Sequence, residues 1–403
     1  MVSVLRSVSI LGSTGSIGRN TLEVISSLPE RFSIYGISCN HNISLLHDQI
    51  KRYKPSIAVI TDKKKYSEFI NLYGSSIGET DIIYGEDGLN EISSNMTVDI
   101  VVAAIVGFKC LRPVISAIDT NKTIIVANKE ILVSAGELII SALKMSNARL
   151  LPVDSEHNAL LQVILSSGLE YRINDENYYK SKLNSLTITA SGGPFLDLGI
   201  SEFKNIKSKH AIQHPTWNMG KKISVDSSTM MNKGLEIIEA KLLFNLDLEN
   251  INAIIHRQSR VHALVEFFDG TTIAHMAEPD MKIPISFALT FPDRVYQSTV
   301  KKTSYNSLTF EDIPITKFPC YELARIAAKT GKNSGLILNA ANEISVEYFL
   351  EDKIMYTDIP NIIQEVFNKV EIASNNNIES IIENDKEVRS ISHSLIKEKY
   401  GTA

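Results

Sequence analysis

Thiols are scarce. Cys39, Cys110 and Cys320 are the only cysteines in 403 residues, an odd and scattered set without a Cys-x-x-Cys pair. Such a set builds neither a disulfide framework nor a zinc site, so it predicts reduced, structural thiols, with one reactive thiol as the alternative. Long apolar runs are missing as well. The longest, Val98 to Gly107, is about half of what a bilayer-spanning helix requires, and it predicts a buried strand with its exit and no membrane span. Charge of one sign is not concentrated anywhere: the net charge is −5 and the longest basic run, Lys63-Lys64-Lys65, reads as a solvated loop. Nothing in that balance suggests nucleic acid or an anionic membrane as a partner. The first apolar run, Val8 to Leu11, comes too early to leave room for a signal peptide, which predicts a cytoplasmic setting. Repeats and low-complexity tracts are absent, Asn375-Asn376-Asn377 being too short to count.

With 44% apolar and 22% charged residues, the chain has ordinary globular composition and length for two or three domains. From Val8 to about Leu151, short Val/Ile-rich runs alternate with stretches of helical period: Val8 to Leu11, Phe32 to Ser38, Ile57 to Ile60, Ile100 to Ile105 and Thr123 to Ala127. That alternation predicts βαβ units and a doubly wound parallel sheet, an α/β fold of Rossmann type. Ile17, Thr21, Val24, Ile25 and Leu28 share a helix face directly after the first strand, and Pro29 closes it. Beyond Leu151 the runs Leu186 to Ala190, Ile251 to Ile255, Val261 to Phe268 and Thr272 to Met276 predict a central α+β domain, antiparallel around the hairpin dipeptide Asp269-Gly270. The Pro-punctuated stretch through Pro284, Pro292 and Pro314 reads as a connection. Ile359, Ile362, Ile363, Val366 and Val370, then Ile378, Ile381, Ile382, Ile391 and Leu395, predict a small C-terminal helical domain. The expected boundaries are 1–150, 151–283, a linker over 284–312, and 313–403.

Gly12-Ser13-Thr14-Gly15-Ser16-Ile17-Gly18 lies between the first strand and first helix, where glycines permit a tight turn and close approach of backbone N–H groups to a phosphate. Its spacing is G-x-x-G-x-x-G, and a plain strand-to-helix turn is the alternative. At the end of the second strand, Ser38-Cys39-Asn40-His41-Asn42 offers no carboxylate to repel a 2′-phosphate, and His41 and Asn42 can donate to one, which favours NADP over NAD. Asp154-Ser155-Glu156 follows Leu150-Leu151-Pro152-Val153, and an extended backbone there would put both carboxylates on one face. Isolated D-x-E triplets are usually solvated, so a metal site needs a third oxygen ligand. Glu236 is the candidate: on a helix it would share a face with Asn232 and Lys233, either as part of a ligand site or simply as an intrahelical ion pair with Lys233. Ser191-Gly192-Gly193-Pro194 suits a phosphate nest or an ordinary turn. His214 to Lys222 carries the only tryptophan, Trp217, and reads as a lid over a phosphorylated substrate or as a packed Ω-loop.

Taken together with Ala127-Asn128-Lys129-Glu130, the run Leu151 to Asn158, His214 to Glu239, Glu278-Pro279-Asp280-Met281 and Leu338-Asn339-Ala340-Ala341-Asn342-Glu343, the sequence resembles the 1-deoxy-D-xylulose 5-phosphate reductoisomerases over nearly its whole length. The resemblance implies NADPH-dependent conversion of that small sugar phosphate to 2-C-methyl-D-erythritol 4-phosphate in isoprenoid precursor synthesis, by a homodimer. It also implies cofactor contacts from Thr14, Gly15, Ser16, Ile17, Asn42, Asn128, Glu130 and Gly220, and Mg²⁺ or Mn²⁺ held by Asp154, Glu156 and Glu236. By the same resemblance Ser191, Ser227, Asn232 and Lys233 hold the phosphate, and Lys129, Ser155 and His214 contact the rest of the substrate. Two segments depart from the family pattern. His256-Arg257-Gln258-Ser259 stands for His-Pro-Gln-Ser, with Arg260 following, and Asn40-His41 stands where the family has Gly-Lys. A plain NADP-dependent dehydrogenase of homoserine-dehydrogenase type needs no carboxylate triad, and a catalytically silent NADP-binding regulator could keep the glycine loop without it; metal dependence separates these readings.

Overall fold

In the computed structural model, which describes residues 5–173, 175, 177–213, 219–295, 307–375 and 377–401, the Val/Ile-rich runs form strands because β-branched side chains suit a pleated surface buried on both faces. The strands are β1 (Arg6–Leu11), β2 (Phe32–Cys39), β3 (Ile57–Ile60), β4 (Ser76–Ile77), β5 (Thr80–Tyr84), β6 (Ile100–Ala103), β7 (Thr123–Val126) and β8 (Arg149–Pro152). Between them run α1 (Ser16–Ser26), α2 (Ile43–Tyr53), α3 (Lys63–Tyr73), α4 (Gly85–Ser94), α5 (Leu111–Asp119) and α6 (Lys129–Lys144). The sheet order is β4-β5-β3-β2-β1-β6-β7-β8, parallel throughout except for β4 against β5. Strand β1 lies between β2 and β6, so the chain order reverses beside it, and ligands of doubly wound sheets bind at the carboxyl ends of strands at such a reversal.

The remaining elements are α7 (Ser155–Ser166), β9 (Leu183–Ala190), α8 (Ser208–Ala211), α9 (Lys221–Ser228), α10 (Met231–Phe244), β10 (Ile251–Ile255), β11 (Val261–Phe267), β12 (Thr272–Met276), α11 (Lys282–Thr290), β13 (Glu311–Asp312), α12 (Pro319–Thr330), α13 (Ser334–Leu350), α14 (Asp358–Lys369) and α15 (Ile378–Tyr400). A second sheet has the order β12-β11-β9-β10-β13, with only β9 and β10 parallel. Gly270, at a φ of +83°, makes the turn between β11 and β12 that Asp269-Gly270 signalled. The fold is therefore α/β, with a Rossmann-type sheet, a central α+β part and a helical C-terminal part.

Two compact units divide the chain. The first takes the described parts of Met1–Ile131, Ser141–Asn158 and Asp280–Val300, and the second those of Leu132–Ile140, Ala159–Pro279 and Lys301–Ala403. Residues 284–292 were expected to form a connection, but Pro284 to Thr290 are buried in α11, which packs on α1 in the first unit. Pro284 stands in the first turn of that helix and Pro292 just after its end, the two places where proline costs a helix least. The guanidinium of Arg6 donates to the Leu289 carbonyl, and Lys282 pairs with Glu23 at 2.6 Å. Among the described residues, no helix is long and apolar enough to cross a membrane.

Candidate active site

In the first unit the glycine loop is shaped by close backbone approaches. Gly12 has a φ of +89°, and a Cβ there would stand 2.8 Å from the Ala104 carbonyl oxygen, so β1 leaves the sheet through a turn that a larger residue would strain. A Cβ on Gly18 would meet the Gly12 oxygen at 2.3 Å, which brings the first turn of α1 directly onto the loop. Gly15 is the N-cap residue of α1 without a side-chain cap, and Ser16 and Ile17 follow in its first turn. The initial N–H groups of a helix lack intrahelical acceptors, so α1 opens just after β1 with N–H groups of the kind that suit an anion, the Gly15 N–H being already bonded to the Gly12 carbonyl at 3.1 Å. Ser38 steadies the loop from β2: its hydroxyl accepts from the Gly12 N–H at 2.8 Å, and its carbonyl accepts from the Ser13 N–H at 2.8 Å.

At the end of β2, Asn42 accepts a bond from the Leu45 N–H at 3.2 Å and so caps α2. His41 is exposed, with Asn40 at 3.0 Å from its Nε2 and the Asp62 carboxylate at 3.8 Å from its Nδ1. The local sequence shows no acidic residue at this turn, yet the fold delivers one from the turn after β3. Its backbone bond from the Lys65 N–H, then the nearby His41, hold the Asp62 carboxyl below the usual carboxylate range.

Asn128 opens α6. Its Oδ1 accepts from the Ile131 N–H, while its Nδ2 donates to the carbonyls of Ile105 and Gly107 at 2.5 Å each. Glu130 falls in the same first turn, and the buried Lys129 between them pairs with Asp154. The extended geometry expected for Asp154-Ser155-Glu156 is not what forms: α7 begins at Ser155, so Asp154 precedes the helix and Glu156 lies in its first turn. Asp before a helix start and Glu within its first turn are where carboxylates are most favourable, and this local preference overrides continuation of β8. The Ser155 hydroxyl donates to Glu156 at 2.5 Å.

In the second unit, Gly192 and Gly193 have φ values of +88° and +68°, and the Gly193 N–H donates to the Ser191 hydroxyl at 3.3 Å. A Cβ on Gly193 would lie 2.8 Å from the Ser227 carbonyl oxygen. The two serine-bearing motifs thus pack against one another. Ser227 is the penultimate residue of α9, Met230 turns the chain at a φ of +60°, and α10 follows with Asn232 and Lys233 in its first turn. Glu236, 1% exposed, receives Asn232 Nδ2 at 2.5 Å and the ammonium of Lys233. The intrahelical pair allowed by the spacing is therefore present, but buried rather than solvated. Gly220 is the N-cap residue of α9. Of the expected lid from His214 to Lys222, residues 214–218, His214 and Trp217 among them, lie outside the described residues, whereas Lys221 and Lys222 form the first turn of α9 instead of an irregular loop.

All three cysteines are buried and unbridged, and burial pushes each thiol up to about 12. A reactive cysteine is not among the groups this fold offers.

Family models match three segments. Residues 8–136 match 1-deoxy-D-xylulose 5-phosphate reductoisomerase, residues 150–244 its C-terminal domain, and residues 276–391 the DXP reductoisomerase C-terminal domain. Reductoisomerases of that name from Pelotomaculum thermopropionicum and Clostridium perfringens are 39% and 40% identical over 399 residues, 98% of this chain and 100% of each relative. A crystal structure of DOX-P reductoisomerase in complex with NADPH, fosmidomycin and magnesium superposes with a TM-score of 0.89 at 39% identity, over 97% of this chain and 98% of that one. The Zymomonas mobilis enzyme in complex with NADPH gives 0.88 at 35% identity, over 98% and 100%. With the glycine loop, the strand-to-helix carboxylates and the paired serine motifs all within the matched segments, the chain belongs to the 1-deoxy-D-xylulose 5-phosphate reductoisomerase family.

Proposed function

We infer that the chain converts 1-deoxy-D-xylulose 5-phosphate and NADPH to 2-C-methyl-D-erythritol 4-phosphate and NADP⁺, a step of isoprenoid precursor synthesis, with Mg²⁺ or Mn²⁺ as cofactor. The observation that carries this reading is full-length membership of the family, joined to a glycine loop at the sheet's reversal point. In this reading Thr14, Gly15, Ser16 and Ile17 cradle the NADPH pyrophosphate. His41 and Asn42 face the 2′-phosphate, and Asn128, Glu130 and Gly220 complete the cofactor contacts.

The donor set fits a hard divalent cation. Asp154, Glu156 and Glu236 are oxygen donors, and no thiol belongs with them. In each unit a candidate carboxylate is neutralised by a lysine, Asp154 by Lys129 and Glu236 by Lys233, which offsets the cost of holding it away from water. A cation bound by these carboxylates would supply Lewis acidity toward the substrate's ketone and hydroxyl oxygens. Ser191, Ser227, Asn232 and Lys233 bind the phosphate, with Lys233 able to turn from Glu236 to the dianion once the cation occupies that carboxylate. Lys129, Ser155 and His214 orient the carbon chain. The reaction breaks one carbon–carbon bond and forms another, giving an aldehyde that takes a hydride from NADPH and a proton. Holding the phosphate end fixed keeps the fragments aligned between the two bond changes.

A cytoplasmic setting and a homodimer belong to the same reading, supported by full-length membership of the family. Adding the sugar phosphate to protein, NADPH and Mg²⁺ should cause cofactor oxidation that stops on chelation and resumes with Mg²⁺ or Mn²⁺. Oxidation indifferent to chelation would sink the metal assignment.

A further inference from the structure

The motif Leu338-Asn339-Ala340-Ala341-Asn342-Glu343 has no part in the chemistry above, yet it forms the buried middle of α13. Asn342 is 0% exposed, and its Nδ2 donates to Asp226 Oδ1 at 2.8 Å, joining positions 116 residues apart. Asp226 is 1% exposed, and its other oxygen pairs with Lys222 Nζ at 2.8 Å, one turn earlier on α9. A buried carboxylate is tolerable only when such partners are held in place.

Few apolar side chains fix the rotation of helix α9. It has eight residues, and of the four that are buried, Ser224, Val225, Asp226 and Ser228, only valine is apolar. Hydrophobic packing therefore specifies its orientation weakly, and directional polar bonds must do so instead. Two reach it from the C-terminal helical part: Asn342 on Asp226, and the Tyr356 hydroxyl donating to the Ser228 carbonyl at 2.6 Å. Ser227 lies between those two anchor points, with its own carbonyl against Gly193.

We propose that Asn342 is a positioning residue for substrate phosphate: through Asp226 it sets the rotation of α9, and thereby the placement of Ser227. This rests on the phosphate role assigned to Ser227 above. Losing one hydrogen bond to a buried carboxylate should weaken binding of the sugar phosphate about tenfold if the loss appears in alignment of the site.

The experiment compares wild type, Asn342→Leu, Asn342→Asp and the exchange Asp226→Asn/Asn342→Asp, measuring KM for 1-deoxy-D-xylulose 5-phosphate and for NADPH separately. Asn342→Leu keeps the volume and removes the donor, and should raise the sugar-phosphate KM about tenfold while the NADPH KM stays within about twofold. Asn342→Asp sets two carboxylates together and should be worse. The exchange restores an amide–carboxylate bond with the same net charge and should recover most of that loss. Should Asn342→Leu fail to fold, Asn342→Ala provides the same comparison with a smaller side chain that also lacks the donor. Equal rises in both KM values, a fall in thermal stability with unchanged KM, or an exchange no better than Asn342→Asp would each overturn the proposal. Wild-type protein inactive on the substrate would instead overturn the functional reading and this inference with it, whereas active wild type with an indifferent Asn342→Leu overturns the inference alone.

Discussion

Glu236, a proposed metal ligand, is also tied into the fold. It is 1% exposed and holds the Lys233 ammonium and the Asn232 amide, so Glu236→Gln removes a proposed metal ligand and also leaves a buried ammonium without its counter-charge. Breaking a buried pair by changing one partner typically costs about 3–5 kcal/mol, so stability should fall together with activity. Turnover in the folded fraction should drop about a hundredfold or more, with Mn²⁺ affinity reduced in parallel. Near-native turnover and Mn²⁺ affinity would remove Glu236 from the ligand set. The pairing was legible from i, i+3 and i, i+4 spacing, because a helix makes such neighbours locally. Asp62 beside His41 and Asp226 beside Asn342 were not legible, since each pair comes from separate elements and has no local period to reveal it. The cysteines give a second test at this scale. With their thiols buried and pushed up to about 12, Cys39, Cys110 and Cys320 should resist a thiol reagent at neutral pH until the chain is denatured. Rapid labelling of the native protein, with loss of activity, would contradict that.

Elements were readable where a single period ran unbroken. Strand β3 at Ile57–Ile60 and strand β10 at Ile251–Ile255 fall where the apolar runs place them, whereas β4 is only two residues long and the apolar run of β5, Ile82-Ile83-Tyr84, is too short to stand out. Helix α11 was hidden by its prolines, and α7 by a triplet that reads equally well as the end of a strand. The glycine loop is the element on which the proposed cofactor binding depends. In Gly18→Ala the new methyl would sit 2.3 Å from the Gly12 oxygen, a backbone atom, so loop and helix must separate. NADPH affinity, followed by cofactor fluorescence, should fall about tenfold or more, and Mn²⁺ affinity should not change. Unchanged NADPH affinity would show that the loop is only a turn. The departure at Arg257 has a different consequence. Its guanidinium grips Asp197 at 2.7 and 2.9 Å and Glu311 at 2.7 Å, tying the turn after β10 to the short edge strand β13. These groups are solvent-facing, so Arg257→Ala should lower thermal stability slightly, and less at high salt, while kcat stays near native. A large kcat loss would give that turn a catalytic role it has not been assigned here.

At the scale of the whole molecule, membership of the family rests on similarity along the full chain, and the proposed chemistry draws on the glycine loop, Lys129, Asp154 and Glu156 together with Ser191, Ser227, Lys233 and Glu236. A nucleotide-binding sheet alone would make a plain dehydrogenase, which reduces the ketone where it stands. The added oxygen ligands and phosphate motifs are what a carbon-skeleton rearrangement requires. Product structure therefore tests the central claim most directly. Substrate labelled with ¹³C at the ketone carbon and at both carbons of the bond that breaks should be incubated with protein, NADPH and Mg²⁺, and the product read by one-bond carbon–carbon coupling. The account predicts one branched 2-C-methyl-D-erythritol 4-phosphate per NADPH oxidised, with the original coupling lost and a new one formed. NADPH oxidation that yields an unbranched, directly reduced sugar phosphate with its original coupling intact would contradict it.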